Sequence, residues 1–214
     1  MLFSHLLNAF DNALMPLCCV FCGTRTVGDE RYICNGCVGD LPAISSPPPA
    51  SGSPLVAELA PYAWAFPIDA AIKALKFRRR LVYAPALAQL LCGACAALPS
   101  DIDAVLPVPL HWRRKWLRGF NQALEFARPV ARHLGVPLAH NVTRCRATPA
   151  QSGLSAAKRA RNLQAAFRVP DALPGRHVLI VDDVITTGAT VHELARVLTE
   201  AGAERVSVLA VARA

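Results

Sequence analysis

No apolar run in this 214-residue chain approaches the roughly 18 residues needed to cross a bilayer, because Glu58, Asp69, Gln89 and scattered prolines interrupt every candidate. The opening stretch MLFSHLLNAFDNALMPLCC lacks the basic flank and small-residue cleavage site of an export signal, and Asp11 and Asn12 break it. Leu17 before Cys18 also argues against a lipoprotein signal. Leu2, Phe3, Leu6, Leu7, Phe10 and Leu14 recur at helical spacing, which predicts an amphipathic helix packed on a cytoplasmic protein with no membrane span. Neither G-x-G-x-x-G nor G-x-x-x-x-G-K-[ST] occurs, which removes the dinucleotide fingerprint and the P-loop. The only recurring unit is a pair of C-x-x-C knuckles.

Acidic residues are scarce, 15 against 23 basic, and the net charge of +8 points to an anionic partner. More than half of the basic residues fall in three acid-free segments, Lys73 to Arg80, Arg113 to Arg118 and Arg144 to Arg161. Each taken alone reads as a solvated face; converging on one pocket, they would attract a polyanion.

Cys19-Val-Phe-Cys22 is followed after eleven residues by Cys34-Asn-Gly-Cys37. Two such turns can converge four thiolates on one tetrahedral metal, and Gly23 and Gly36 give them the required freedom. Two disulfides or a redox pair are the alternatives, but a redox C-x-x-C follows a strand and opens a helix, and neither pair has that setting. The spacing therefore predicts structural Zn²⁺ on Cys19, Cys22, Cys34 and Cys37, with no position open for chemistry. Cys92 and Cys95, in an Ala/Leu-rich helical stretch, read as small buried hydrophobes.

The stretch LPAISSPPPASGSPL cannot sustain helix or strand. Three parts are expected: the helix and four-cysteine module over 1–45, a Pro/Ser linker over 46–54, and one domain over 55–214. In that domain IDAAIKALKF, PALAQLLCGACAAL and NQALEFARPVARHLG read as helices, DAVLPVPL, HVLIV and RVSVLAVA as strands, and Val191, Leu194, Ala195 and Leu198 mark the core face of another helix. Strands alternating with helices predict an α/β fold, a mainly parallel sheet covered on both faces, with ligands beyond the C-terminal strand ends.

VLIVDDVITTGAT, Val178 to Thr190, carries the chemistry. Asp182 and Asp183 leave the strand ending at Val181 as paired acceptors, suited to two vicinal hydroxyls. Thr186, Thr187, Gly188, Ala189 and Thr190 then open a helix whose backbone N–H groups and hydroxyls can cradle a phosphate. Hydroxyl acceptors beside a phosphate cradle describe a ribose 5-phosphate.

This stretch resembles the phosphoribosyl pyrophosphate (PRPP) signature of type I phosphoribosyltransferases. With the four cysteines, LPVPLHWRRKWLRGFNQA, and the spaced set Arg144, Arg146, Thr148, Gln151, Leu154, Arg159, Asn162 and Phe167, nearly the whole chain is similar to the ComF family of competence-associated phosphoribosyltransferase-like proteins. The resemblance implies a type I phosphoribosyltransferase fold preceded by a zinc ribbon, with PRPP bound as its Mg²⁺ complex at Val181 to Thr190. It further implies a pyrophosphate loop with Arg113, Arg114 and Arg118, a flap over 144–162 that includes Gln151 and Arg159 and closes over the ligand, and Asp182, Asp183 and Arg118 as the catalytic set. Lys73 and Lys76 could join the pocket.

The acceptor stays unnamed. Purine-salvage relatives carry Asp where this chain has Thr186, and an acceptor site is expected from residues 41–80 or from the zinc module. A second reading is a non-catalytic scaffold binding single-stranded DNA or a helicase of the DNA-uptake machinery, since HWRRKWLRGF interleaves Trp112, Trp116 and Phe120 with cations. The spacing of the two tryptophans slightly favours a helix face packed on the sheet.

Overall fold

The computed structural model describes residues 17–28, 30–140, 142–145, 166–169 and 172–214. The expected amino-terminal helix and the flap positions Arg146, Gln151 and Arg159 lie outside the described residues. The chain divides into two compact units, Met1–Leu41 and Pro42–Ala214.

In the first unit the two C-x-x-C turns are closed by backbone bonds, Gly23 N to Cys19 O at 2.9 Å and Val38 N to Cys34 O at 3.0 Å. Gly23 takes the left-handed conformation the first turn requires, with φ +76°. The second turn does open a short helix, α1 (Asn35–Gly39), contrary to expectation; Cys34 is its N-cap, and its sulfur accepts from Cys37 N at 3.5 Å. Only Cys19, Ile33 and Leu41 are buried hydrophobics among the unit's described residues.

The second unit is built on one parallel sheet. Its strands are β1 (Ala57–Leu59), β2 (Tyr62–Ala63), β3 (Ala104–Pro107), β6 (His177–Ile185) and β7 (Arg205–Arg213), in the order β1-β7-β6-β3 with β2 continuing along β7. Two short strands, β4 (Thr143–Arg144) and β5 (Phe167–Arg168), pair antiparallel beside it. Helices α2 (Ile68–Arg78), α3 (Tyr83–Ala94), α4 (Trp112–Arg118), α5 (Gln122–Leu134) and α6 (Ala189–Glu200), with a 3₁₀ turn at Cys95–Ala97, complete the described elements.

Strands covered on both faces read as unbroken apolar runs, and Val178 to Val181 and Val208 to Ala212 are essentially inaccessible. Val178 and Ile180 join the core with Val191, Leu194, Ala195 and Leu198 of α6. Leu179 and Val181, alternating with them, turn to the opposite face, where α5 packs on β3 and β6. Helix α5 starts at Asn121, whose side chain accepts from Ala123 N at 3.1 Å, and stops at left-handed Gly135.

Residues 46–54, expected as a linker from composition, run along this unit: Ser46 Oγ donates to Ala60 O at 3.1 Å and accepts from Ala60 N at 2.8 Å. At the amino-terminal edge of the sheet, His177 lies 3.1 Å from Asp101 and 2.8 Å from Ser207 Oγ. The arrangement looks like a nucleophilic triad, yet Ser207 is wholly buried on β7 and no substrate can reach it, so the three residues tie strand ends together.

Candidate functional site

The aspartates sit where two neighbours of one strand part company. Strand β3 ends at Pro107 opposite Val181, and Val108 N still donates to Val181 O at 2.9 Å, whereas β7 stays paired with β6 as far as Ile185–Arg213. The strand thus continues past the expected exit at Val181. Asp182 and Asp183 lie within β6, on a stretch flanked by β7 alone, and the gap left by β3 is the crevice.

Alternation sends the two carboxylates to opposite faces. Asp183 is 4% exposed; its Oδ2 receives Lys76 Nζ from α2 at 2.7 Å and Gln122 Nε2 from α5 at 2.9 Å. Asp182 is half-buried on the α6 side, and its Oδ1 accepts from the backbone N of Asp183 at 2.8 Å. Burial, then the Asp183 charge, push its carboxyl up to about 7, partly opposed by Lys76 and Arg144.

All three acid-free segments contribute to this locus. Lys76 comes from the first, Arg114 and Arg118 from the second, Arg144 from the third. Burial lowers the Arg118 guanidinium pKa while the field of Asp183 opposes the shift; Arg144 is likewise lowered by burial and then by Arg114, with Asp182 opposing. His111 is 5% exposed, and burial, then the charges of Arg113, Arg144 and Arg114, lower its imidazole pKa. Two carboxylates therefore face four cations, and such an excess in a partly desolvated crevice attracts an anion. Arg113, also expected there, is exposed, with its guanidinium 5.3 Å from the Trp112 ring centroid.

The Thr-Thr-Gly-Ala-Thr stretch follows β6 directly. Thr186 and Thr187 are exposed, Ala189 and Thr190 half-buried, and Gly188 turns with φ +72° into α6 without a side-chain cap, which leaves the first N–H groups of the helix for a ligand. A cavity of about 260 Å³ opens beside Thr186, Thr187 and Gly188, walled by Pro47–Pro49 and by Glu58 and Arg213. Glu58 pairs with Arg213 and, at 3.5 Å, with His192. A Cβ on Gly188 would meet His192 Cε1 at 3.0 Å, so this ring backs the loop. A second cavity of about 300 Å³ lies beyond β3, between Pro107, Leu110, Trp112 and Arg144.

Lys76, Gln122, Glu58 and His192 are contributors that motif reading named only in passing or missed. Gln122 lies inside the quoted Arg-Gly-Phe-Asn-Gln run and could have been found there; Glu58 and His192 carry no local signal. Trp112 and Trp116 overturn the packed-face expectation: α4 leaves them 64% and 80% exposed.

In the first unit the sulfurs of Cys19, Cys22, Cys34 and Cys37 all lie within 4.8 Å of one another. Tetrahedral zinc–thiolate geometry sets sulfurs about 3.8 Å apart, so this set fits a four-thiolate metal. The 3.6 Å between Cys22 and Cys34 is far beyond a disulfide bond of about 2.05 Å. Hydrogen bonds from the side chain and backbone of Thr24 lower the Cys22 thiol to about 6, whereas burial, then the neighbouring thiols, raise Cys37.

The Asp182 shift carries a pH signature. The folded protein holds this proton to about pH 7, the unfolded chain releases it near 3.8, so stability falls as pH rises through that window. Asp182→Asn removes the slope: calorimetric unfolding should show a variant equal to wild type at pH 4 and a few degrees more stable at pH 7.5.

Residues 121–214 match the family described as Phosphoribosyl transferase domain. Over 91% of its length the chain is 39% identical to the DNA utilization protein YhgH of Shigella flexneri and of Escherichia coli (strain K12), covering 89% of each. It is 41% identical over 116 residues to Competence protein F of Haemophilus influenzae, covering 52% of this chain and 51% of that protein. Among solved structures, the glutamine PRPP amidotransferase from B. subtilis aligns with 66% of this chain and 30% of its own, at 21% identity and a TM-score of 0.47. With a phosphoribosyl transferase domain matched over residues 121–214, a four-cysteine amino-terminal cluster and relatives matched across almost its whole length, the chain belongs to the ComF family of competence-associated phosphoribosyltransferase-like proteins.

Proposed function

We propose that the second unit binds Mg²⁺-PRPP in the crevice at Asp182 and Asp183 and transfers, or recognises, its 5-phosphoribosyl group. One observation carries this reading: cations from three separate segments converge on a carboxylate pair, immediately before a loop that presents backbone N–H groups at a helix start. The 5-phosphate would occupy the cavity at Thr186, Thr187 and Gly188, and the diphosphate the side of Arg114, Arg118 and Arg144. Bound Mg²⁺ would neutralise part of the diphosphate charge. For transfer, the chain's share is positioning and neutralisation of the leaving group, with no covalent intermediate.

Calorimetric titration of Mg²⁺-PRPP into zinc-loaded protein should give micromolar binding, abolished in Asp182→Asn/Asp183→Asn. Binding then justifies an acceptor screen by pyrophosphate release; its absence in wild type removes the reading.

We assign structural Zn²⁺ to the four thiols and place the protein in the cytoplasm, where thiols stay reduced. Elemental analysis should find one zinc per chain, and Cys34→Ser should lose the metal and lower the melting temperature of the first unit's transition. A full zinc complement in the variant would remove Cys34 as a ligand.

The exposure of Trp112, Trp116 and Phe77 among Arg78, Arg79, Arg80 and Arg113 favours a second reading, a stacking surface for single-stranded DNA. Anisotropy titrations should show affinity that falls steeply with salt and drops about 10-fold in Trp116→Ala, with Asp182→Asn unchanged. Salt-independent binding, or equal binding by Trp116→Ala, overturns it.

A further inference from the structure

Helix α4 carries two faces of different chemistry. Helix residues four apart share a face and residues two apart lie nearly opposite, so Arg114 and Arg118 stand on one side and Trp112 and Trp116 on the other. The arginine side is half-buried and turned to the crevice, where the field of Asp183 acts on Arg118 and that of Arg114 on Arg144. The tryptophan side stands in solvent.

None of the described side chains of α4 is buried, so no apolar anchor fixes this helix. What holds it is polar. At its start Arg114 N donates to His111 O at 2.9 Å, and at its end Arg79 Nη2 donates to Leu117 O at 2.7 Å. Arg79 does so from a left-handed backbone, φ +52°, a strained conformation for a residue with a side chain. The corner after α2 is thereby tied to the end of α4.

Arg118 belongs to both faces. Its guanidinium lies 5.7 Å from the ring centroid of Phe77, which is 73% exposed and part of the aromatic and cationic outer surface. The same guanidinium is within the field of Asp183 on the crevice side. Contact with an exposed ring is a weak hold on a cation, whereas charge-assisted hydrogen bonds to phosphate oxygens are strong. A diphosphate in the crevice therefore draws Arg118 inward and takes a cation from the outer surface. Affinity for a nucleic-acid strand falls with each cation lost from the surface that meets its phosphates.

The geometry points to Arg118 as a shared cation, for which a diphosphate-bearing ligand in the crevice and single-stranded DNA on the outer face of α4 compete, so that each weakens the other. The inference rests on the PRPP and DNA readings together and adds their regulation: the ligand-free protein holds the strand and the loaded protein releases it. Because the coupling is thermodynamic, it acts equally in both directions.

The test is the anisotropy of a fluorescein-labelled oligothymidylate titrated with zinc-loaded full-length protein, with and without saturating Mg²⁺-PRPP. Sodium chloride keeps the ionic strength equal, since added salt by itself weakens the DNA complex. PRPP should weaken the oligonucleotide about 5-fold, and calorimetry should show the oligonucleotide weakening PRPP by the same factor. Saturating ribose 5-phosphate, which has no diphosphate, should change the DNA affinity by less than about 1.5-fold. Trp116→Ala should lower DNA affinity and keep the full factor. Arg118→Met should bring the factor to within about 1.5-fold of unity, whatever it does to either affinity alone. Phe77→Ala alters an exposed ring outside the crevice and keeps the comparison available if Arg118→Met does not fold. It should abolish the coupling likewise, with Mg²⁺-PRPP affinity within about 2-fold of wild type.

The proposal is overturned by independent binding of the two ligands to wild type, by ribose 5-phosphate reproducing the effect, or by coupling that persists unchanged in Arg118→Met and Phe77→Ala. Wild type that binds the oligonucleotide and no PRPP removes the PRPP reading; wild type that binds PRPP and no oligonucleotide removes the DNA reading. Each removes the coupling with it, and calorimetry and anisotropy on the separate ligands tell these failures apart.

Discussion

Two like charges in adjacent positions of a core strand are the constraint around which the second unit is arranged. A carboxylate removed from water is costly unless it is paired, and the cost rises when a second lies one residue away. The chain meets it by ending β3 at Pro107 while β7 continues, so that the acidic part of β6 is paired on one side and open on the other. Into the opening come Lys76 from α2, Gln122 from α5, Arg118 from α4 and Arg144 from β4. The crevice, its charge and the routes of four elements follow from where one strand lets go of another.

The helix start beside it is a second electrostatic device, and it uses backbone in place of side chains. Gly188 permits the turn from β6 into α6, and His192, held by Glu58, stands behind it. Glu58 also pairs with Arg213 at the end of β7, so β1, β7 and α6 meet at this loop. The Pro47–Pro49 run lines the cavity, so a segment that composition alone describes as a spacer is packed at this loop. Prolines suit a wall, since they hold shape with few backbone donors left to satisfy.

The first unit solves a different problem. With few buried hydrophobics among its described residues, it has little core to oppose chain entropy, and small modules of this kind depend on staples. Four converging thiols are placed to hold a metal that would act as one, and the Glu30 carboxylate, accepting from Val27 N and Asn35 N, ties the loop between the two turns.

Local order determined a good deal of this protein. The apolar runs at 178–181 and 205–212, the i, i+3, i+4, i+7 face of α6, the Asn121 and Gly135 boundaries of α5, the parallel α/β class and the four-thiol set were all legible, because period, caps and C-x-x-C spacing are short-range properties of the chain. The aspartates near the end of β6 and the Thr-Thr-Gly loop leading into α6 were legible in position for the same reason. Tertiary structure decided what those residues face. That β6 runs to Ile185, that Asp183 meets Lys76 across more than a hundred residues, that Glu58 backs His192, and that Trp112 and Trp116 stand in solvent all depend on strand register and on which elements share a face. No local pattern encodes these, because they come from long-range packing that balances the burial of apolar surface against the desolvation of charge.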